Sequence, residues 1–245
     1  MTEQFNYIAH YKKDAVEFDY FEDRLPGTEH DERRVHEYII SKVPENTKSI
    51  LDVGSGSAWI AEHFNGNDIK VISLDIAVQN LIKAKQKFPS VNHKQISSDS
   101  LKLPFKNESI ETVIASEIIE HIVNPSEFVK ELFRVVKPGG SLIITTPYKE
   151  IIRYCLCIHC NKKTSLHGHL HSFDEHKLLN LYNDKSIANV NWFVFGNKAL
   201  IFLRTHTILK YFPFLLWKYF DKLMNLILNK PAHILMKYEK TGKNE

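Results

Sequence analysis

The sequence predicts an α/β fold built on a mostly parallel sheet of about seven strands, with helices on both faces. Short apolar runs alternate with helical stretches from Lys48 onward, which is the pattern of parallel strands joined by crossover helices. The first run, at Ile50–Ala58, ends in an acid and two glycines before helix-forming residues, so it predicts a strand, a tight turn and a helix N-terminus. A chain of 245 residues with 43% hydrophobic content fits one decorated domain.

The bulk composition narrows the class of protein. A net charge of +3 gives little support for a nucleic-acid-binding surface. The most apolar stretch, 199–217, contains two basic residues, a histidine and a proline, and is therefore a poor candidate for a membrane span. All three cysteines lie between 155 and 160, which does not suit an extracellular disulfide framework. Without a signal-peptide pattern at the N-terminus, we expect a cytoplasmic protein.

Residues 1–47 predict a helical cap in front of the sheet domain, which we place at 48–245. In the cap, Val35, Tyr38 and Ile39 form the apolar face of a helix that stops near Pro44. The expected strands are 49–53, 69–74, 91–96, 112–115, 141–146, 190–195 and 232–238. Helices are expected at 77–88, 117–123, 125–136 and 174–182.

Two segments interrupt the regular alternation. Residues 148–172, rich in cysteine and histidine, predict an inserted loop, and residues 199–229 predict an apolar helical insertion before the last strand. In 208–228, polar side chains recur on one helical face and large apolar ones cover the others. This stretch fits a helix packed on the sheet or a dimer contact. It equally fits a lid over a lipophilic acceptor or a peripheral helix on a membrane surface.

Acids follow three successive predicted strands. Asp52, Asp75 and Asp99 stand at the carboxyl ends of the first, second and third strands, where open parallel sheets bind ligands. A pyrophosphate would not tolerate the carboxylate of Asp52 beside the glycine turn, whereas the ammonium and sulfonium of S-adenosylmethionine would. The three acids therefore predict a nucleoside pocket.

The segments ILDVGSGSAWIAEHF, VISLDIA, SSDSLKLPF, ETVIASEIIEHI and LFRVVKPGGSLIITTP resemble those of class I S-adenosylmethionine-dependent methyltransferases, in family order and spacing. The resemblance covers about 48–147 and implies a Rossmann-like sheet. It implies that Gly54 and Gly56 cradle the methionine, that Asp75 holds the ribose and that Asp99 and Ser100 flank the adenine. Ser116 would line the methionine end, and Asp52, Ser55 and Ile76 complete the cofactor residues. Ala58 departs from the pattern, which has a third glycine there, and fits only if its φ is negative.

Methyl transfer needs alignment of the acceptor, and a hydroxyl or amine acceptor also benefits from a base. His121 is the first candidate for that base and Glu117 the second, since both lie just beyond the fourth strand. A histidine that only packs the helix is the alternative.

Two competing metal sites are possible. Glu117, Glu120 and His121 resemble the Glu-x-x-Glu-His site of some O-methyltransferases, which a later histidine from 167–171 would complete. Cys157 and Cys160 form a zinc half-site that His169 would complete. Plain structural roles remain open for both sets. The cofactors expected are S-adenosylmethionine and, at one of these sites, zinc or another divalent metal.

The function expected is methylation of a small acceptor, lipophilic or saccharide-linked, with oxygen as the expected acceptor atom. Protein or RNA methylation is the enzymatic alternative. A module that binds S-adenosylmethionine and a partner without catalysis is the alternative from another class.

Overall fold

The structure, a computed structural model, describes residues 6–158 and 160–242. A seven-stranded sheet has the order β3-β2-β1-β4-β5-β9-β8, and β6 and β7 form a separate hairpin. The strands are β1 Ser49–Val53, β2 Lys70–Asp75, β3 His93–Ser97, β4 Ile110–Ser116, β5 Val136–Pro147, β6 Tyr154–Leu156, β7 Lys163–Ser165, β8 Ile187–Asn197 and β9 Pro231–Lys240. The predicted α/β class and Rossmann-like sheet are confirmed.

Helices cover both faces of the sheet. They are α1 Tyr7–Glu17, α2 Pro26–Ile40, α3 Trp59–His63, α4 Val78–Lys87, α5 Pro125–Val135, α6 Glu175–Leu179, α7 Lys198–Phe202, α8 His206–Leu209 and α9 Phe214–Ile227. Phe128 of α5 and Leu178 of α6 belong to the core on one face. Ile39 of α2 and Trp217 of α9 belong to the core on the other, so the predicted cap packs directly on the sheet.

The strand directions bring the polar strand ends together. Strand β1 runs parallel to β2 and β4, which continue in parallel to β3 and β5, whereas β9 is antiparallel to both β5 and β8. The chain order reverses between β1 and β4, which is where open α/β sheets bind ligands. Asp52, Asp75 and Ser116 therefore lie at one edge of the sheet, close to this reversal.

Three local expectations need correction. The helix predicted at 117–123 is a single 3-10 turn, Ile119–His121, because Glu117 adopts a φ of 51° and its N–H donates to Thr145 of β5. The loop at 148–172 contains the hairpin β6–β7. The helical block at 199–228 is divided into α7, α8 and α9, with Arg204 at a φ of 52° between the first two and Pro213 before the third.

The helical insertion before the last strand is confirmed, since α7, α8 and α9 all lie between β8 and β9. Within the described parts of the chain, no helix has the length and apolar character needed to cross a membrane.

Candidate active site

The glycine turn after β1 forms the floor of the site. Gly54 and Gly56 have φ values of 70° and 46°, a left-handed conformation that glycine adopts without steric cost. A Cβ on Gly54 would lie 2.2 Å from Cδ1 of Ile118, so this position also needs a missing side chain. Gly54 N–H donates to Leu74 O at 2.8 Å, which ties the turn to β2.

Ala58 corrects the expectation of a negative φ. Its φ is 56° and it stands as the N-cap of α3, so the chain keeps the left-handed turn without the glycine. Its side chain is fully buried in the core that contains Ile39 and Trp217, and this packing stabilises a conformation that costs an L-residue about 1 kcal/mol.

Asp75 joins the glycine turn to the end of β2. Its carboxylate accepts from Gly56 N–H at 3.0 Å, from Ala77 N–H at 2.8 Å and from Asn80 Nδ2 at 3.4 Å. Burial raises the pKa of Asp75, and these hydrogen bonds oppose that rise. The predicted Ile76 lines the same cavity, as does Asn80, which the sequence analysis did not single out.

A cavity of about 190 Å³, the tyrosine cavity, opens over this turn. On the sheet side, its lining includes the predicted residues Gly54, Gly56, Asp75, Ile76, Asp99 and Ser100. On the other side, it includes Tyr7, Tyr11, Asp14 and Tyr20, from α1 and the segment after it. Tyr7 donates its hydroxyl to Asp99 Oδ2 at 2.5 Å, so α1 closes over the strand ends. This aromatic wall was not identified from the sequence, because tyrosines in a helical segment are equally typical of simple packing.

A second cavity, the acidic cavity, adjoins the first and measures about 1090 Å³. The two share Tyr20, Gly54, Gly56, Glu117 and His121. The acids and histidines that line it include Asp31, Asp52, Glu117, Glu120, His121, His167, His169 and His233. Ser55 and Ser116 also lie here rather than in the tyrosine cavity.

Several buried polar atoms around these cavities have no hydrogen-bond partner. They are Tyr11 Oη, Asp52 Oδ2, Ser55 Oγ, Glu117 Oε1 and His121 Nδ1. Burial, and then the nearby Asp75, raise the pKa of Asp52 to about 8. A cationic ligand group would stabilise the ionised form of this buried carboxyl, because its positive charge compensates for the hydration that burial removes. The site therefore fits a ligand with both cationic and hydrogen-bonding groups.

Three potential metal ligands converge beside the shared wall. One ligand atom each from Glu120, His121 and His169 lie within 4.8 Å of one another. Burial, and then His169, lower the pKa of His121 to about 4, so its imidazole is neutral at pH 7 and able to ligate. Burial, and then Glu117, raise the pKa of Glu120 well above its ordinary value, while Thr146 donates to its Oε2 at 2.9 Å. His169 Nδ1 lies 2.5 Å from Glu150 Oε2, which orients its ring.

This cluster of potential ligands differs in composition from both metal sets that the sequence suggested. Cys157 and Cys160 belong to the turn of the β6–β7 hairpin, and among the described residues they form no ligand cluster with His169. His169 instead completes the set of Glu120 and His121. Glu117 leaves that set because its positive φ turns the carboxylate toward β9. His159, between the two cysteines, lies outside the described residues.

The partner of Glu117 is His233 of β9, which sequence reasoning missed. Its Nδ1 lies 3.3 Å from Glu117 Oε2, and its Nε2 lies 3.0 Å from Asp31 Oδ2 of α2. Burial lowers the pKa of His233, but Glu117 and Asp31 outweigh burial and hold that pKa well above its ordinary value. No local pattern predicts this triad, because its members come from positions 31, 117 and 233.

Residues 51–144 match a family model described as a methyltransferase domain. Within this chain, residues 51–144 therefore form a methyltransferase domain similar to those of the class I S-adenosylmethionine-dependent enzymes. This family uses S-adenosylmethionine, and the cationic preference of the buried Asp52 region agrees with the sulfonium and ammonium of that cofactor.

Among curated proteins, a mitochondrial ubiquinone biosynthesis O-methyltransferase of Bos taurus is 35% identical over 121 residues, 47% of this chain and 33% of that protein. A malonyl-[acyl-carrier protein] O-methyltransferase of Marinomonas sp. is 31% identical over 118 residues, 46% of this chain and 43% of that protein. The matches thus span less than half of either relative. A methyltransferase structure from Archaeoglobus fulgidus covers 96% of this chain and 100% of its own with a TM-score of 0.58. At 15% identity, that likeness concerns the fold alone.

Proposed function

We propose that this protein transfers the methyl group of S-adenosylmethionine to an oxygen of a small acceptor, lipophilic or saccharide-linked, bound in the acidic cavity. One observation carries the proposal: the tyrosine and acidic cavities share a wall at Gly54, Gly56, Glu117 and His121. A cofactor in the first cavity would direct its sulfonium through that wall. In-line transfer requires this kind of alignment together with exclusion of water.

The cofactor roles we propose follow the strand ends. Asp75 would accept from the ribose hydroxyls, and Asp99 would exchange the Tyr7 hydroxyl for the adenine amine. Asp52 and Ser55 would face the methionine end, where their buried oxygens lack partners. Tyr7, Tyr11 and Tyr20 would cover the ligand and limit the access of water.

The acceptor proton is the next requirement. His121 is unprotonated at neutral pH and lies on the shared wall, so it is positioned to take that proton. Its low pKa makes it a weak base, however, so an acceptor of low pKa is favoured. In the alternative in which Glu120, His121 and His169 hold a divalent ion, His121 would be a ligand and not the base, and the ion would lower the pKa of an acceptor hydroxyl. The two curated relatives named above are both O-methyltransferases, which supports transfer to oxygen.

Binding and turnover test the proposal separately. Titration calorimetry with S-adenosylhomocysteine should show binding, and Asp75→Ala should abolish it while the fold persists by circular dichroism. Methyl-labelled cofactor incubated with a lipid extract, total RNA and total protein should label the lipid-soluble fraction. Label in RNA or protein would establish the enzymatic alternative. If the protein binds S-adenosylhomocysteine but labels no fraction, it is a binding module. If the wild type does not bind S-adenosylhomocysteine, the proposed cofactor site is wrong.

The metal assignment has its own test in thermal unfolding. A divalent ion that binds only the folded protein raises the unfolding midpoint by mass action. Mg²⁺ or Zn²⁺ should raise the unfolding midpoint of the wild type and of the control variant His167→Ala. His167 lines the acidic cavity but does not belong to the ligand cluster. The rise should disappear in His169→Ala. An equal rise in both variants would exclude His169 as a ligand.

A further inference from the structure

Helix α9 turns its apolar side outward. Trp217 and Asp221 are buried against the domain. The side chains that point away from it are more than half exposed: Leu215, Leu216, Tyr219, Leu223, Leu226 and Ile227. A helix that faces water normally shows the reverse pattern, with its apolar stripe toward the core.

Hydrogen bonds hold the polar side of α9 inward. Asp221 accepts from Gly196 N–H at 3.0 Å and from Asn197 N–H at 2.8 Å, at the end of β8. Asn225 Oδ1 accepts from Asn197 Nδ2 at 2.9 Å. Rolling the helix to hide its apolar side would break these bonds and leave buried polar groups without partners. The outward orientation is therefore built into the fold.

The neighbouring helices extend the same surface. Phe202 and Leu203 of α7 and the following turn are 85% and 66% exposed, and Ile208 and Tyr211 at α8 are 66% and 76% exposed. We call these four residues and the six outward residues of α9 the apolar face. Ten large apolar side chains exposed within 202–227 favour an interaction surface over the single scattered exposed residues that are normal for a protein.

The apolar face rests on a rigid support. Arg34 of α2 is buried and donates to Leu209 O at 2.7 Å and to Phe212 O at 2.9 Å. Arg33 donates to Lys210 O at 2.7 Å. These bonds clamp the connection between α8 and α9 to the cap helix, so the face is formed before any partner arrives.

The charge around the face identifies the kind of partner. Segment 198–230 carries six basic residues, Lys198, Arg204, Lys210, Lys218, Lys222 and Lys230, against one acid. That acid is the buried Asp221, so the surface of the segment is basic. A second copy would bring the same positive charge to the interface. An anionic bilayer offers opposite charge to the lysines and hydrocarbon to the apolar side chains.

We propose that segment 198–230 docks this protein on the surface of an anionic lipid bilayer. The apolar face enters the boundary between headgroups and acyl chains, and the exposed Arg204, Lys210, Lys222 and Lys230 contact anionic headgroups. The segment starts at the carboxyl end of β8, at the same sheet edge as the candidate active site. A cavity of about 600 Å³ beneath α7 is lined by Leu200 and Ile201 and shares Thr28 and Asp31 with the acidic cavity. The idea that a membrane-held acceptor enters through this cavity rests on the proposed function. The docking proposal does not depend on that function.

Cosedimentation of the full chain with vesicles tests the proposal. Vesicles of equal parts phosphatidylcholine and phosphatidylglycerol should sediment the protein, and vesicles of phosphatidylcholine alone should bind it far less. Phe202→Glu combined with Leu226→Glu should weaken partitioning by about tenfold or more, because two charges would enter the apolar boundary. The matched control is Val91→Glu, which changes a residue 86% exposed just before β3 at the far edge of the sheet.

The possible results separate the outcomes. Circular dichroism and S-adenosylhomocysteine binding, unchanged in all variants, confirm that the proteins are folded and that the cofactor site is intact. Equal binding to both kinds of vesicle, equal loss in the control, or no binding at all would overturn the proposal. A dimer in sedimentation velocity that the Phe202 and Leu226 changes dissociate would also overturn it, in favour of an interface between copies.

Discussion

Gly54 shows how a single missing side chain shapes the candidate site. Gly54→Ala would bring a methyl group to 2.2 Å from Ile118 Cδ1 at a φ of 70°. We expect S-adenosylhomocysteine affinity to fall about tenfold or more, because the turn or Ile118 must move into the cavity. Gly66→Ala is the matched control, since Gly66 has a φ of 86° and open space around it. Both variants lose about 1 kcal/mol of stability from backbone strain, and calorimetry distinguishes their binding. An equal loss of affinity would contradict the steric reason.

The triad of Asp31, His233 and Glu117 predicts a pH-dependent contribution to stability. The raised pKa of His233 stabilises the fold fully below its unfolded value near pH 6.5, and this contribution is lost as pH rises through the folded value. The lowered pKa of Asp31 adds stability above about pH 4, which is lost on further acidification. We expect Asp31→Asn to cost about 2 kcal/mol near pH 6 and progressively less above the folded pKa of His233.

Urea unfolding across pH measures this cost, and the ring signals of His233 report its pKa. Besides Asp31 and Glu117, the buried Asp221 acts on His233 and contributes in the same direction. Unchanged ring signals in Asp31→Asn would show that Asp31 does not hold the proton. A cost independent of pH would point to packing instead.

At the scale of elements, α1 is the part of the site most weakly attached. Of its eleven residues only Ala15 is buried, whereas α5 buries five of its eleven. Elements with few buried apolar contacts open with little free energy, so α1 should open locally and close over a bound cofactor. Amide exchange in 7–17 should be fast in the free protein and slowed by S-adenosylhomocysteine. Exchange in α5 should change little, and unaltered exchange in α1 would exclude a covering role for its tyrosines.

At the scale of the molecule, charge is divided between two parts of the chain. Residues 1–50 carry 7 Lys/Arg against 11 Asp/Glu, and segment 198–230 carries 6 against 1. The electrostatic field of the protein therefore favours an orientation in which the apolar face meets an anionic surface first. Vesicle binding should weaken several-fold between about 50 and 200 mM salt, because the Debye length falls below about 10 Å. Titration of vesicles at several salt concentrations checks this, and binding insensitive to salt would leave the lysines without a role.

Much of the framework was predictable because it depends on local pattern. The bounds of β1 agree with the sequence prediction at 49–53, and the acids at the ends of the first three strands reach one sheet edge as expected. Buried strands need continuous apolar runs, and tight turns need glycine, so both leave local signatures. Ala58 is the exception, because buried packing supports its left-handed conformation where the local rule requires glycine.

The sequence by itself determined the strands of a mostly parallel sheet and the acids along its ligand-binding edge, since each follows from periodicity and turn chemistry over a few neighbouring residues. Only the tertiary structure decided which partner each polar group meets. It turned Glu117 toward His233, joined His169 to Glu120 and His121, and set the apolar side of α9 toward solvent through Asp221. These arrangements depend on contacts between residues far apart in the chain, which local sequence patterns do not predict.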